Sequence, residues 1–427
     1  MDETKLYRKT INAWCLYDWA NSAFATTVMA AMFPPFYRAV ALKAGFSPST
    51  ATAVFGYTAS AALVIMACLS PVLGAMADFA GRKKAFTLAF AGLGIASTAL
   101  FSTIGPEAIL LASVLYVLGS AGFAGANVFY ESLLPSVARP GDLDRVSTRG
   151  YALGYVGGGL LLCINLAWVL RPELFHMPSK AFAVKASFVS VALWWALFSI
   201  PFLRRVPEPS ATRKLPVSAL ARQGFARVRT TFSHIRSFRE LTWFLAAYWL
   251  YSDGIGTIIK MSTAYGSEIG IGVDDMVGAL VLTQFTGIFF ALLFGKLASR
   301  FSAKPVLMAG LIVYAFICLG GAFMKTAAHF YALAFSVGTV QGGCQALSRS
   351  IFAAMVPRAR AAEFFGFFST FEKAAGILGP LLFGIVAQLT GASRLSILAL
   401  MVFFLTGAFL LSRVNVEKGI RDAAAAG

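Results

Sequence analysis

The chain places ionisable side chains inside stretches that are otherwise apolar. In LYDWANSAFATTV, residues 16–28, Asp18 stands next to Tyr17 and three residues before Asn21. A carboxylate within a membrane is costly and usually faces a protein interior or an aqueous cavity. Burial raises the proton affinity of a carboxylate and a nearby cation lowers it, so such a group can bind and release a proton. Asp18 is therefore a candidate for proton binding.

Two other apolar stretches carry a polar and a charged residue at matching spacing. Asn127 and Glu131 are four residues apart, and so are Gln345 and Arg349. Residues at this spacing share one face of a helix. Because the charges are opposite, we expect Glu131 and Arg349 to pair across a cavity. A packing salt bridge or an interhelical hydrogen bond is the alternative role.

A further apolar stretch contains Asp253 and Lys260. Both are candidates for the same cavity, although Lys260 could instead reach the outer membrane interface. Tyr17 and Tyr130 could shape an apolar substrate pocket, but aromatic residues in membranes more often serve packing. Glu372 and Lys373 are adjacent in sequence and so are expected on different helix faces. One of them could reach the cavity, and the other must find a partner or extend to the membrane interface.

Other kinds of chemistry find little support. The five cysteines all fall in apolar segments, and the three histidines fall in or beside loops. This pattern predicts no disulfide framework, no metal site and no histidine-based catalysis. There is also no glycine-rich loop followed by Lys-Ser or Lys-Thr, so ATP is not the expected energy source. We therefore expect neither an enzyme nor a bound cofactor.

The elements that must position these residues are membrane helices. The composition is 58% hydrophobic and 13% charged, against about 25% charged for a soluble domain. A membrane span needs ~20 mostly apolar residues, and many segments reach that length. The chain is predicted to be an all-α membrane protein with twelve transmembrane helices: 11–37, 50–77, 85–104, 108–134, 146–170, 182–203, 241–266, 274–298, 304–324, 328–356, 362–389 and 394–413.

The distribution of Lys and Arg predicts the orientation. With the N-terminus inside, 25 of the 36 lie in cytoplasmic segments, 7 lie outside and 4 lie within spans. Cytoplasmic loops carry such an excess in membrane proteins. Both termini are therefore expected in the cytoplasm, most simply at a bacterial inner membrane. The net charge of +17 is then a signal of topology rather than of nucleic-acid binding.

The charge and proline pattern also divides the chain. Residues 204–240 separate an N-terminal six-helix bundle, 1–203, from a C-terminal one, 241–427. The separating segment begins with prolines and then alternates apolar residues with arginines. That pattern predicts a basic amphipathic helix on the inner membrane surface, with a solvated basic linker as the alternative.

The two halves echo each other. LYDWANS at 16–22 matches LYSDGIG at 250–256, and GAMADFAGRKK at 74–84 matches GKLASRFSAKP at 295–305. The segment 74–84 resembles the loop 2–3 signature of the major facilitator superfamily, through Gly74, Asp78, Gly81, Arg82 and Lys83. Phe79 departs from that signature, and Ser299 replaces the aspartate in the second copy. LYDWANSAF further resembles the Unknown Major Facilitator family, which is related to fungal autophagy-related vacuolar effluxers implicated in amino-acid export.

The resemblance implies a fold of two six-helix bundles in which spans 1, 4, 7 and 10 line a central cavity. These are the spans that carry the polar residues described above. It also implies secondary transport of a small solute by alternating access, with protons as the simplest coupling ion and the chain acting as a monomer in the bilayer. Export of amino acids or short peptides is the leading expectation. A multidrug or lipid exporter and a non-transporting sensor are the alternatives.

The signature further implies a gate on the cytoplasmic side. Gly74 is expected to let span 2 approach span 11, and Asp78 to lie near the start of span 11, at 361–363. The helix N-terminus there favours an anion. Arg82 is expected to hold Asp78. Residues 150–162 resemble the glycine-rich antiporter motif of exporters, except that Tyr155 replaces its proline; close helix packing is the alternative reading.

Overall fold

The structure is a computed structural model that describes residues 3–208, 219, 222–226, 228, 230, 238–376, 378–390 and 393–426. The described residues contain helices and no strand. They form twelve long helical units: α1 (Glu3–Ala23, Phe24–Met32 and Phe33–Lys43), α2 (Pro48–Ala80), α3 (Lys83–Leu100), α4 (Ile109–Ser132), α5 (Leu143–Leu170), α6 (Lys180–Arg205), α7 (Arg239–Glu268), α8 (Val273–Phe301), α9 (Ala303–Ala322), α10 (Ala327–Ala354), α11 (Ala361–Ala374 and Leu378–Thr390) and α12 (Ser393–Ala399 and Met401–Arg413). A shorter helix, α13 (Val416–Ala425), follows.

Nine of the units in the described part of the chain are long and apolar enough to cross a membrane. The other three are α1, α7 and α10. These carry Asp18, Asp253 and Arg349 and are rich in other polar residues. Helices that are less apolar than their neighbours are expected beside an aqueous interior rather than against lipid.

The units form two bundles, α1–α6 and α7–α12. Within the first, α1 packs against α5 and α6; within the second, α7 packs against α12 and α8 against α10. The bundles meet where α2 contacts α11 and where α5 contacts α8 and α10. Both described chain ends lie at one face. There Tyr7 donates to Asp142, just before α5, at 2.6 Å, and Gly419 of α13 lies against Met355 after α10. We call this the terminal face.

In each bundle, a lysine side chain caps the C-terminus of the last helix at the terminal face. Lys84, the second residue of α3, donates from Nζ to the carbonyl of Val206 after α6, at 2.9 Å. Lys304, the second residue of α9, donates to the carbonyl of Val414 after α12, at 2.7 Å. The last carbonyls of a helix lack partners within it and favour a cation. The two halves are thus related by local chemistry as well as by sequence.

The glycine run of α5 packs that helix against α1. A Cβ atom at Gly154 would fall against Ser22, and one at Gly157 against Trp19. Small residues allow membrane helices to approach in this way. Tyr155 points in another direction and packs against Gly287 of α8 and Gly342 of α10. The run therefore serves packing, while Tyr155 joins the two bundles.

The unit α11 is interrupted between Ala374 and Leu378. Pro380 has no N–H, so the carbonyl four residues earlier, on Gly376, loses its helical partner. The N–H of Gly376 donates to the carbonyl of Lys373, three residues earlier, at 3.2 Å, so the backbone is already tighter than an α-helix here. Discontinuous helices of this kind in transporters occur around binding sites.

Most of the amphipathic helix predicted for 204–240 falls on positions outside the described residues. Residues 222–226 are helical. A Cβ atom at Gly224 would fall against Val72 and Met76 of α2, so this short piece lies at the terminal face.

Candidate functional site

Arg349 of α10 connects the second bundle to the first. Its side chain is 2% exposed, and Nη2 lies 3.2 Å from Oδ2 of Asp18 in α1. Nη1 lies 3.8 Å from Oε1 of Glu131 in α4. The pairing of Glu131 with Arg349 that the spacing predicts is therefore present. We call Asp18, Glu131 and Arg349 the ionic lock.

Ser147 of α5 completes the surroundings of the buried guanidinium. Arg349 donates from Nε to Oγ of Ser147 and from Nη2 to its carbonyl, both at 2.9 Å. Ser147 in turn donates to the carbonyl of Ala346 at 2.7 Å. A buried charge is stable only when it is paired and hydrogen-bonded. Sequence reasoning missed Ser147, because nothing in its own stretch distinguishes it from other helix-start serines.

Aromatic rings enclose the same guanidinium. Its carbon lies 4.4 Å from the ring centre of Tyr151 and 5.0 Å from that of Trp14. Such cation–π contacts stabilise a desolvated cation. Tyr130 donates from its hydroxyl to Oδ2 of Asp18 at 2.8 Å, so this tyrosine orients the carboxylate. The orientation of the Asp18 carboxylate is thus fixed by its hydrogen-bond partners.

The prediction that Tyr17 lines a substrate pocket is wrong for this structure. Tyr17 is fully buried and packs against Tyr130 and Phe202, with ring centres 4.8 and 5.0 Å away. On a helix, neighbouring residues point about 100° apart, so a cavity-facing Asp18 directs Tyr17 into the first bundle. Tyr130 is likewise buried and acts on Asp18 from within the bundle.

Asn21 and Asn127 form a second polar contact between α1 and α4. The Asn21 amide donates to Oδ1 of Asn127 at 2.5 Å. Asn21 is buried and Asn127 is half-buried. Gln345, one helical turn before Arg349, is also half-buried. These amides therefore lie beside the ionic lock, where they can offer neutral hydrogen-bonding groups.

Asp253 and Lys260 of α7 lie along the interruption of α11, away from the ionic lock. Asp253 is 1% exposed; its Oδ1 accepts from Thr257 at 3.5 Å, and its Oδ2 has no hydrogen-bond partner in the described part of the chain. A Cβ atom at Gly379 would fall against Asp253, and one at Gly376 against Nζ of Lys260. The structure therefore divides the predicted cavity residues into two groups.

Glu372 and Lys373 are partners of each other. Although adjacent in sequence, they form an ion pair with Nζ and Oε2 2.9 Å apart. Both also lie close enough to Glu131 for their charges to act on it. Flexible side chains can converge even when their Cα–Cβ bonds diverge.

The gate at the terminal face is built on Asp78. The N–H groups of Ala362 and Glu363, at the start of α11, donate to its two oxygens at 3.1 and 2.7 Å. The position predicted for Asp78 is thus confirmed. Its cation, however, is Lys83, 2.8 Å away, and the prediction of Arg82 is wrong. Arg82 is exposed and Lys83 is buried.

The local backbone explains that exchange. Gly81 closes α2 in the left-handed region, at φ 63°, and α3 begins at Lys83. This turn directs Lys83 inward, where it also donates to the carbonyl of Arg358 at 3.4 Å. At Gly74, a Cβ atom would overlap the backbone of Ala362. Close approach of α2 and α11 therefore requires glycine there, as predicted.

The second copy of the motif forms no matching clamp. Ser299, in the place of Asp78, is exposed and donates to the carbonyl of Lys296 in its own helix at 2.8 Å. Ser302 occupies the place of Gly81 and has φ 71°. Gly295, in the place of Gly74, does retain the close approach, here to Thr148 of α5.

These contacts close the terminal face. Across the described residues, hydrogen bonds between the bundles run from the gate through the ionic lock to Thr370, which donates to the carbonyl of Ala67 at 2.7 Å. They lie in the helix portions that adjoin the terminal face. Glu372 nevertheless keeps 49% of its side chain exposed, although it lies close to Glu131 of the other bundle.

Comparisons with known proteins agree with this architecture. Residues 7–424 match the family model described as vacuole effluxer Atg22 like. YxiO of Bacillus subtilis, an uncharacterized MFS-type transporter, is 42% identical over 414 residues, which cover 97% of this chain and 96% of YxiO. Autophagy-related protein 22 of Coccidioides immitis is 24% identical over 96% of this chain and 80% of its own.

Solved structures show the same fold at low sequence identity. The proton:xylose symporter XylE has a TM-score of 0.72 at 14% identity and covers 99% of this chain and 98% of XylE. The human organic anion transporter MFSD10 has a TM-score of 0.68 at 14% identity, with 95% and 99% covered. The chain is thus a multi-pass membrane protein with the major facilitator fold, and it belongs to the Atg22-like family of MFS-type transporters.

Proposed function

We propose that this transporter couples proton entry to the export of a small zwitterionic solute, an amino acid or a short peptide. It works as a monomer in a bacterial inner membrane by alternating access. The terminal face is cytoplasmic, as the excess of Lys and Arg in the loops on that side supports. The structure then corresponds to the outward-open state.

The observation that carries the proposal is the ionic lock. The bundles cannot separate at the terminal face unless Arg349 leaves Asp18 and Glu131. Breaking a buried pair while its partner stays charged costs about 3–5 kcal/mol. A proton on either carboxylate removes much of the attraction that holds Arg349, so protonation favours opening toward the cytoplasm.

The centre contains more carboxylates than cations, so one carboxylate can accept a proton. Asp18, Glu131 and Glu372 supply three carboxylates, whereas Arg349 and Lys373 supply two cations. One carboxylate therefore has no counter-cation of its own. Asp18 and Glu131 are 13% and 19% exposed, which lets protons reach them from the open side.

The cycle follows from these groups. In the outward-open state the solute leaves and a proton binds at Asp18 or Glu131. The lock then weakens, the terminal face opens, and the proton is released into the less acidic cytoplasm. A solute then binds from the cytoplasm, and the protein returns to the outward-open state with the solute bound. The description of the matched family as vacuole effluxers is consistent with export.

The charge content of the site favours a zwitterion over an apolar drug. An apolar drug offers no charges for pairing, whereas this centre holds five fixed charges. Asn21, Asn127 and Gln345 add amide groups that can bind a peptide backbone or a carboxylate. Asp253 and Lys260 place a further charge of each sign in the second bundle.

Counterflow in proteoliposomes tests the proposal. Vesicles loaded with unlabelled amino acids should take up labelled ones, and an imposed pH gradient should drive their accumulation together with a counter-movement of protons. Uptake of apolar dyes alone would indicate a drug exporter. Solute binding without any counterflow would indicate a sensor. Either outcome would overturn the proposal.

A further inference from the structure

The Glu372–Lys373 ion pair is unusual because it is central, adjacent in sequence and open. Glu372 is 49% exposed and Lys373 is 14% exposed. The pair stands at the end of the first part of α11, just before the interruption. An ion pair that closes a helix interface would be shielded, as Arg349 is. This pair instead leaves about half of the Glu372 side chain uncovered by the protein.

The surroundings of Glu372 place it between the two bundles. The stretch of α11 that carries Glu372 packs against α2 and α4 of the first bundle and against α7 of the second. Tyr248 also stacks on Phe368, one helical turn before Glu372, with ring centres 4.1 Å apart. Helices of both bundles therefore pack against this stretch, and the stacked rings of Tyr248 and Phe368 lie one helical turn away.

The local geometry makes the pair easy to exchange. Adjacent helical residues point about 100° apart, so both side chains must bend toward each other to meet. Partly exposed ion pairs of this kind contribute little stability. The helix also ends here, since Gly376 donates to the carbonyl of Lys373 instead of continuing α11. A ligand with one charge of each sign can therefore replace the internal pair at little cost.

We propose that Glu372 and Lys373 form the docking site for the charged groups of a zwitterionic solute. The ligand ammonium pairs with Glu372 and the ligand carboxylate with Lys373. The buried rings of Tyr248 and Phe368 support α11 behind this site. The inference rests on the proposed function and adds to it the residues that recognise the solute. In the empty state, each residue neutralises the other.

Binding to the purified protein tests this assignment. Three probe sets are compared. The first is an equimolar mixture of the twenty amino acids. The second contains their amides, which lack the carboxylate, and the third their N-acetyl derivatives, which lack the ammonium. Wild-type protein should bind the zwitterions at least tenfold more tightly than either derivative set. Glu372→Gln should lose the preference over the N-acetyl set, and Lys373→Met the preference over the amides.

Selectivity separates recognition from folding, because a merely structural change would weaken all three probe sets alike. Glu268→Gln and Lys325→Met, at exposed positions, are matched controls and should retain wild-type selectivity. The assignment is wrong if Glu372→Gln and Lys373→Met both retain wild-type selectivity. It is also wrong if wild-type protein binds the amides and the N-acetyl derivatives as tightly as the zwitterions. Proton-driven counterflow by wild-type protein would then leave the proposed function standing, whereas its absence would refute that function separately.

Discussion

Asp78→Asn should open the terminal face. In the wild-type structure the Asp78 carboxylate accepts from two N–H groups at the start of α11 and pairs with buried Lys83. An asparagine keeps the size of the side chain but offers one carbonyl oxygen and no charge. One of the two N–H groups loses its acceptor, and the Lys83 ammonium is left without a counter-charge in the closed state.

The magnitude follows from the contact at the helix N-terminus. An anion in a favourable, partly buried position there contributes up to ~2 kcal/mol. This contact forms only when α2 and α11 meet, so its loss acts on the closed state. A change of about 2 kcal/mol alters the ratio of open to closed states by about thirtyfold. The loss of the Lys83 partner acts in the same direction.

Spin labels at Ser136 and Ala359 can measure this change, because both positions are exposed at the terminal face and belong to different bundles. The distance distribution in lipid nanodiscs should shift toward longer values in Asp78→Asn. Ser299→Asn, at the equivalent position of the second copy, should leave it unchanged. Unchanged distances in Asp78→Asn, together with normal transport, would show that the motif contributes only to packing.

Three further predictions concern the backbone, the helix capping and the packing between the bundles. Ser302→Gly should raise the thermal unfolding temperature, because φ 71° and ψ 155° cost a non-glycine residue about 1–3 kcal/mol. Lys304→Met should lower that temperature by leaving carbonyls after α12 unsatisfied, at about 1–3 kcal/mol, whereas Lys296→Met should not; equal melting curves would argue against the capping role. Gly342→Ala should displace Tyr155 and slow transport, and adding Tyr155→Ala should restore part of the rate; purely additive losses in the double variant would show that the two residues are not coupled.

Much of the fold could be predicted from the sequence, because membrane helices are recognised by local features of the chain. Apolar length and the placement of Lys and Arg predict the spans, and the motif at 74–84 predicts the contact with α11. The pairing of Glu131 with Arg349 was also predictable, since equal spacing places each on one helix face. These inferences need only helical periodicity and the cost of burying charge.

The failures arose where side-chain direction depends on a local break. Whether Arg82 or Lys83 turns inward depends on the left-handed turn at Gly81, and composition does not reveal the residue at which the next helix begins. The interruption of α11 had a signal that was overlooked, namely Pro380 four residues after Gly376. The sequence therefore indicated that Glu372 or Lys373 could reach the cavity, but not that the two would pair with each other.

The most direct test of the account compares uphill transport with exchange in Asp18→Asn. A neutral side chain cannot carry a proton through the cycle, so accumulation driven by a pH gradient should fall severely, while exchange of labelled for unlabelled solute should persist. Asp274→Asn, at an exposed position, should behave as wild-type protein. If Asp18→Asn accumulates solute at the wild-type rate with the same pH dependence, the ionic lock does not couple protons to transport and the central claim is wrong.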